Sequence, residues 1–375
     1  MEVFRVFLRL GLTSFGGPVA HLGYFRLELV QRRAWLDEEE LADLVALCQF
    51  LPGPSSSQVA ICAGTVRAGA LGGLAAWLGF CLPSALLMMA FAYGTRLANL
   101  SQAPWIHGMK VVAVAVVAQA VWSMARRLCP DLPRAALALV SAAFCLSIPS
   151  AAGQIAAILL GGLVGWRFLA SSRESARASA PLSISRRSAR LALVVFLALL
   201  VISVFASSHV LAAFYRTGSL VFGGGHVVLP LLQQAICAPG WVSTDSFLAG
   251  YGLAQAMPGP LFSLAAYLGA SMQGWPSPWL GGLLCLVAIY LPSFLLLLGV
   301  LPHWERLRKR TGVQSALRGI NAAVVGLLLA AFFSPVWSSG IQGPRDILVA
   351  VVAGLALERG VPAWMVVLAV PLLRQ

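Results

Sequence analysis

The residues of this sequence that could do chemistry gather at four glycine- and proline-rich interruptions. Phe15-Gly16-Gly17-Pro18 lies in one apolar stretch and Phe222-Gly223-Gly224-Gly225 in another, while Pro52-Gly53-Pro54 and Pro258-Gly259-Pro260 interrupt two more. Proline removes a backbone donor and clashes with the preceding turn; glycine permits the dihedrals of a break. A helix that restarts after a break presents unpaired N–H groups and the positive end of its dipole. That chemistry suits an anion. Ser55 and Ser56, with Ser57, stand at one restart and add hydroxyl donors, whereas the other restart carries Leu261, Phe262 and Ser263. The two sites are therefore unequal. One such motif alone reads as a kink or a packing turn; four in corresponding places read as a substrate site.

Arg9 and Arg216 each precede a Phe-Gly-Gly by six residues. A charge inside a membrane segment costs at least about 2.5–3.5 kcal/mol, and a guanidinium grips an oxyanion through a fixed donor fork. Snorkelling to a nearby surface is the competing account, above all for Arg9 beside the N-terminus. Lys110, at the start of an apolar run, and Arg5 read as interfacial. Gln49 and Gln255 each precede a Pro-Gly-Pro by three residues; either donates to an oxyanion or satisfies loose backbone carbonyls. His21 and His226 follow the glycine breaks without being equivalents. Each is a packing histidine or a carrier of a coupling proton, since imidazole titrates near neutrality. Glu28 and Asp43 are further proton candidates. No HExxH, nucleophile–base set or Walker motif occurs, so neither an enzyme nor a self-contained ATP-driven pump is expected, and no cofactor or metal.

Membrane helices must position these residues. Only 10% of the 375 residues are charged and 59% are hydrophobic, with a mean hydropathy of +0.85; a soluble domain carries about 25% charged residues. Apolar runs recur at 72–93, 111–125, 189–205, 280–300 and 320–333, near the roughly 20 residues that one crossing needs. They do not alternate as membrane strands would, so the expected class is all-α. The net charge of +13 sits in short loops, where the positive-inside rule accounts for it and no nucleic-acid partner is implied. The opening MEVFRVFLRL has an early acid and no small-residue cleavage site, so no cleaved leader is expected. The seven cysteines form no CxxC and read as small packing residues.

The chain also repeats itself. Arg9-Leu10-Gly11 before Phe15-Gly16-Gly17 recurs as Arg216-Thr217-Gly218 before Phe222-Gly223-Gly224. Trp35 recurs as Trp241, the Gln-x-x-Pro-Gly-Pro motif at 49–54 as 255–260, Pro83-Ser84 as Pro292-Ser293, and Pro133-Arg134 as Pro344-Arg345. The expected organisation is a first repeat, 1–170; a cytoplasmic Arg/Ser-rich loop plus a linker helix, 171–208; and a second repeat, 209–375. The extra helix would turn the second repeat over. Basic residues agree: Arg26, Arg32, Arg33, Arg126, Arg127 and Arg134 in the first repeat face few counterparts in the second, while Arg306, Arg308, Lys309 and Arg310 face only Arg96. An inverted-topology repeat with broken or re-entrant helices is a recurrent plan of secondary transporters. Gly69-to-Gly73 and Gly161-to-Gly165 spacings permit close helix contacts and a homodimer.

The runs at 7–18 with His21, 47–54, 220–232 and 255–260 resemble the signatures of the chromate ion transporter family, in its long, two-domain form. The resemblance covers nearly the whole chain. It implies export of chromate, or a related tetrahedral oxyanion such as sulfate, across the inner (plasma) membrane, driven by the proton motive force and conferring chromate resistance. The expected mechanism holds a dianion near the midplane between the repeats, gripped by the helix restarts, Arg9 and Arg216, with alternating access. A passive anion channel, or a transporter of another small anion, is the alternative.

Overall fold

The computed structural model describes residues 1–97, 104–169, 185–206, 208–222, 225–308 and 310–372. Gly223, Gly224, Lys309 and residues 170–184 of the Arg/Ser-rich loop lie outside the described residues. Among the described residues every regular element is helical, as the composition requires.

The first two interruptions are tips of helical hairpins with short arms. Helices α1 (Glu2–Thr13) and α2 (Gly17–Phe25) flank the first; α3 (Glu38–Phe50) and the start of α4 (Ser55–Leu97) flank the second. Arms of this length reach some 14–20 Å at 1.5 Å per residue, about half of a 30 Å hydrocarbon core. After α2, a π-helical turn (Arg26–Arg32) brings the chain back to its start. There Arg33 lies 3.5 Å from Glu2, and Arg67 lies 3.4 Å from the same carboxylate. The Trp35 ring is shared by both guanidiniums, at 5.7 and 5.3 Å. Both hairpins therefore open at one end of the bundle. Asp37 starts α3 with a capping box closed by Glu40, which satisfies the first amides of the helix.

Helix α4 is two arms, not one rod. Ala68 and Gly69 leave the helical region, Gly69 at φ +66, a left-handed value that favours glycine. Beyond it the chain doubles back: a Cβ on Gly73 would lie 3.0 Å from the carbonyl oxygen of Ile61. A straight helix would hold those residues about 18 Å apart. Gly64 and Gly72 meet backbone to backbone at the same bend. Residues 70–97 then cross the bundle.

Helices α5 (Pro104–Leu128), α6 (Leu132–Ser147), α7 (Ala151–Phe168) and α8 (Arg186–Phe205) follow, the last exposing Leu191, Val194, Leu197, Ile202 and Phe205. Such a face belongs against lipid. The pattern then recurs. Helices α9 (Val210–Leu220) and α10 (Val228–Cys237) flank the third interruption. Helix α11 (Thr244–Ala256), a 3₁₀ turn (Leu261–Ser263) and α12 (Leu264–Ser271) surround the fourth. Helix α13 (Pro278–Val300) crosses, followed by α14 (Trp304–Arg308), α15 (Thr311–Ala331), α16 (Ser338–Gly340), α17 (Pro344–Glu358) and α18 (Ala363–Leu372). Among the described residues, six segments are long and apolar enough to cross a membrane: Ser55–Thr95, His107–Leu128, Ala151–Phe168, Arg186–Phe205, Pro278–His303 and Thr311–Gly340. The chain is thus a multi-pass membrane protein, with the first of these segments folded back on itself.

Glycines set the hairpins into the crossing helices. A Cβ on Gly11 of α1 would sit 2.7 Å from the carbonyl oxygens of Gly79 and Phe80 in α4. Gly218 of α9 meets the Ile289 carbonyl of α13 in the same way. Each contact lies just before an in-helix proline, Pro83 or Pro292, whose missing N–H leaves upstream carbonyls without their helical donor.

Candidate functional site

The hairpin tips meet at the centre of the bundle, each held by a tip from the other half. The Gly53 amide donates to the Val221 carbonyl at 2.7 Å, and the Gly259 amide donates to the Ser14 carbonyl at 2.8 Å. Gly53 corresponds to Gly259 in the sequence repeat and Ser14 to Val221, so one bond is made twice with the halves exchanged. Both glycines have positive φ, +127 and +93. Their neighbours correspond too: a Cβ on Gly53 would collide with Ser293 Oγ, and one on Gly259 would lie 3.1 Å from Ser84 Oγ.

Side chains brace the tips. Gln58 Nε2 donates to the Pro52 carbonyl at 2.7 Å and reaches Ser293 Oγ at 3.3 Å. Ser57 Oγ pairs with Tyr290 OH at 3.1 Å, joining the two halves. Ser263 Oγ donates to the Pro260 carbonyl at 2.8 Å.

A cavity of about 110 Å³ opens beside the Pro52-Gly53-Pro54 tip. Water needs only some 10–15 Å³ of such space, so a small solvated anion fits. Gln49, Gly53 and Ser55 line it from the second hairpin, Pro18 from the first, Arg127 from α5 and Asn321 from α15. Ser55, Ser56 and Ser57 form the first turn of α4, whose amides no carbonyl within the helix can reach. Gln49 is exposed to the cavity, Arg127 stands at its open side, and Asn321 Oδ1 is buried with no hydrogen-bond partner among the described residues. An amide can present either end, so Asn321 can offer its NH₂. The walls therefore bring together amide donors, a hydroxyl, a helix N-terminus and a cation. Such a donor set suits a small anion.

The remaining sequence candidates are placed as follows. Gly16 and Gly17, both with positive φ, form the first tip beside Pro18. Pro52 and Pro54 frame Gly53. Ser56 is buried behind the cavity, 3.2 Å from His21 Nδ1. In the second half, a Cβ on Gly225 would lie 3.6 Å from both Pro18 and Leu261, and His226 Nδ1 pairs with Tyr251 OH at 2.8 Å. Pro258, Gly259 and Pro260 are buried, and Gln255 Nε2 is buried without a partner among the described residues. Neither expected arginine lines the cavity. Arg9 is exposed on α1, close enough to act on the Glu28 charge. Arg216 donates to the Ser203 carbonyl of α8 at 2.6 Å.

Sequence reasoning missed Arg127 and Asn321 as cavity residues. Arg127 read only as part of a basic loop. Asn321 is a lone amide within an apolar run, and that isolation was the available signal.

Comparison with known proteins decides the family. A family model described as Chromate transporter matches residues 1–166 and again 208–374. The chain belongs to the chromate transporter family. It is 28% identical over 338 residues to the chromate transport protein of Pseudomonas aeruginosa, covering 87% of this chain and 79% of that one. Similarity to the chromate transport protein of Cupriavidus metallidurans is 25% over 367 residues, 95% of this chain and 88% of the other. The uncharacterized transporter YwrA of Bacillus subtilis is 31% identical over 143 residues, which cover only 38% of this chain but 76% of YwrA. No solved structure matches. Within this chromate transporter family member, the matched regions meet at the crossed tip bonds beside which the cavity opens.

Proposed function

We propose that this protein exports chromate, or a related tetrahedral oxyanion such as sulfate, by alternating access between two halves of opposite orientation. The observation that carries it is the cavity in which Ser55, Gln49, Asn321 and Arg127 converge at a broken helix, in a chain of the chromate transporter family. Two relatives bear the name chromate transport protein, which supports chromate as the substrate.

Opposite orientation is supported by where the hairpins open. The first pair opens beside Glu2, Arg33 and Arg67. From there residues 70–97 run the length of the bundle to Tyr93, which lies 6.4 Å from Trp279 at the start of α13, where the second pair opens. Arg33 and Arg67 stand at the first end, and the positive-inside rule would assign a basic end to the cytoplasm. The cavity would then load from inside. Moving a dianion outward from a negative interior is favourable by about 4.6 kcal/mol at 100 mV, so the membrane potential suffices to drive it. His21, behind the cavity, and His226, on the other half, are the groups through which protons would enter the cycle.

Chromate accumulation in energised everted vesicles tests this. We expect uptake that excess sulfate competes away and that a protonophore collapses. Absence of uptake by well-expressed protein would sink chromate export.

A further inference from the structure

Lys110 of α5 is a buried cation near the second Pro-Gly-Pro. Its ammonium donates to Asp245 Oδ1 on α11 at 2.9 Å, with Lys110 only 7% exposed and Asp245 61% exposed. The partners are unequal. Asp245 can turn into water at little cost, whereas a buried ammonium in apolar surroundings needs a counter-charge. The position requires an anion, but not this particular one.

The repeat says what else the position resembles. Gly108 and Lys110 correspond to Gly319 and Asn321, in the register that pairs Pro133-Arg134 with Pro344-Arg345. Asn321 lines the open cavity beside Gln49. The counterpart of Gln49 is Gln255, whose Nε2 is buried without a partner among the described residues. A Cβ on Gly252 of α11 would lie 2.7 Å from the Met109 carbonyl oxygen. Lys110 therefore leaves α5 about one turn from Gln255 and about two turns inward of Asp245. Its chain leans outward to reach the carboxylate, as a snorkelling lysine does.

We propose that Lys110, Gln255 and the break at 257–260 form a second oxyanion station, the counterpart of the open cavity, and that Asp245 closes it as an internal counter-anion which the substrate displaces on leaving. The inference rests on the transport function proposed above. The dianion moves from the Gln49 cavity to Lys110, Asp245 swings into water, and its return to Lys110 expels the anion and reseals the outer end.

The full chain, reconstituted in liposomes with radiolabelled sulfate and with chromate as probes, tests this through three variants: Lys110→Gln, Asp245→Asn and the exchange Lys110→Asp with Asp245→Lys. Monodisperse elution checks that each folds. Lys110→Gln is expected to cut flux by about tenfold or more, while sulfate affinity measured from the Gln49 side stays within about twofold. Asp245→Asn, which removes the competitor, is expected to tighten half-saturation from the Asp245 side by about threefold or more. The exchange should keep the ion pair and not restore flux. If both single variants lower flux alike and the exchange restores it, the pair is only a tether between α5 and α11, and the station is overturned. Unchanged flux in Lys110→Gln overturns it as well. A wild type that moves neither anion brings down the transport function itself, a result distinct from variants failing against an active wild type.

Discussion

The two Pro-Gly-Pro breaks share a backbone and differ in what surrounds it. Gly53 and Gly259 both have positive φ and both donate to a carbonyl at a tip of the other half. After the first, α4 starts at once with Ser55, Ser56 and Ser57; after the second, a 3₁₀ turn buries Leu261 and Phe262 where Ser55 and Ser56 would be, with Ser263 in place of Ser57. Beside the first stands neutral Asn321 and an open cavity; beside the second stands Lys110, held by Asp245. Backbone geometry, fixed by glycine and proline, is common to both. Side chains decide which break is open to an anion. A transporter that exposes its ends in turn needs this kind of inequality in any one state.

The sharpest way to break the comparison is at the shared backbone. Gly53→Ala places a methyl against Ser293 Oγ and Gln58 Nε2 at a φ of +127, whereas Gly259→Ala meets Ser84 Oγ at a tighter-than-usual 3.1 Å. Strain of this kind costs on the order of 1–3 kcal/mol before any clash is counted. Gly53→Ala is expected to abolish flux and to lower the melting temperature in detergent more than Gly259→Ala does. Equal effects would mean that the cavity side is no more tightly built than its counterpart.

Next comes the wall of the cavity. Asn321→Leu removes a half-buried amide from the cavity wall, and hydrogen bonds to charged groups are worth about 1.5–3 kcal/mol. Sulfate affinity of the cavity should fall by about ten- to a hundredfold, as read by calorimetry, with Lys110→Gln leaving that value nearly unchanged. Arg127 is exposed at the open side, where solvent screens it. Arg127→Gln should raise the half-saturating chromate concentration only some fivefold, and the difference from wild type should shrink as ionic strength rises.

Much of this is legible in the sequence alone. Apolar runs and charge scarcity dictated membrane helices, and Pro52-Gly53-Pro54 and Phe15-Gly16-Gly17 dictated breaks, because proline and glycine act on their own backbone. Gln49, Gly53 and Ser55 line the cavity because they are sequence neighbours of such a break. What the residues could not reveal was contact between distant segments. Arg127 and Asn321 reach the cavity only because α5 and α15 pack beside the second hairpin. The reversal at Gly69 also escaped, since one glycine among Ala68, Ala70 and Gly72 looks like any small-residue stretch of a membrane helix. Arg216 had a matched partner in the repeat, yet its guanidinium is spent on a carbonyl of α8, the helix between the two matched regions.

That asymmetry yields the smallest expected effects. Arg216→Ala removes the 2.6 Å bond to Ser203, and the carbonyl it leaves is at the end of α8. A loss of roughly 1–2 kcal/mol in stability is expected, seen as a lower melting temperature, with sulfate affinity of the cavity unchanged. Arg9 is exposed and lies in no wall of the cavity, so Arg9→Ala should change flux by less than about twofold, the scale of an exposed charge near a charged neighbour. The pair separates two accounts of matched arginines. If both variants lose affinity together, the repeat has placed them to share one anion, and the open cavity is a vestibule on the way to it. If only stability moves, and only for Arg216, the match records common ancestry of the two α-helices, and the anion is held by the breaks themselves.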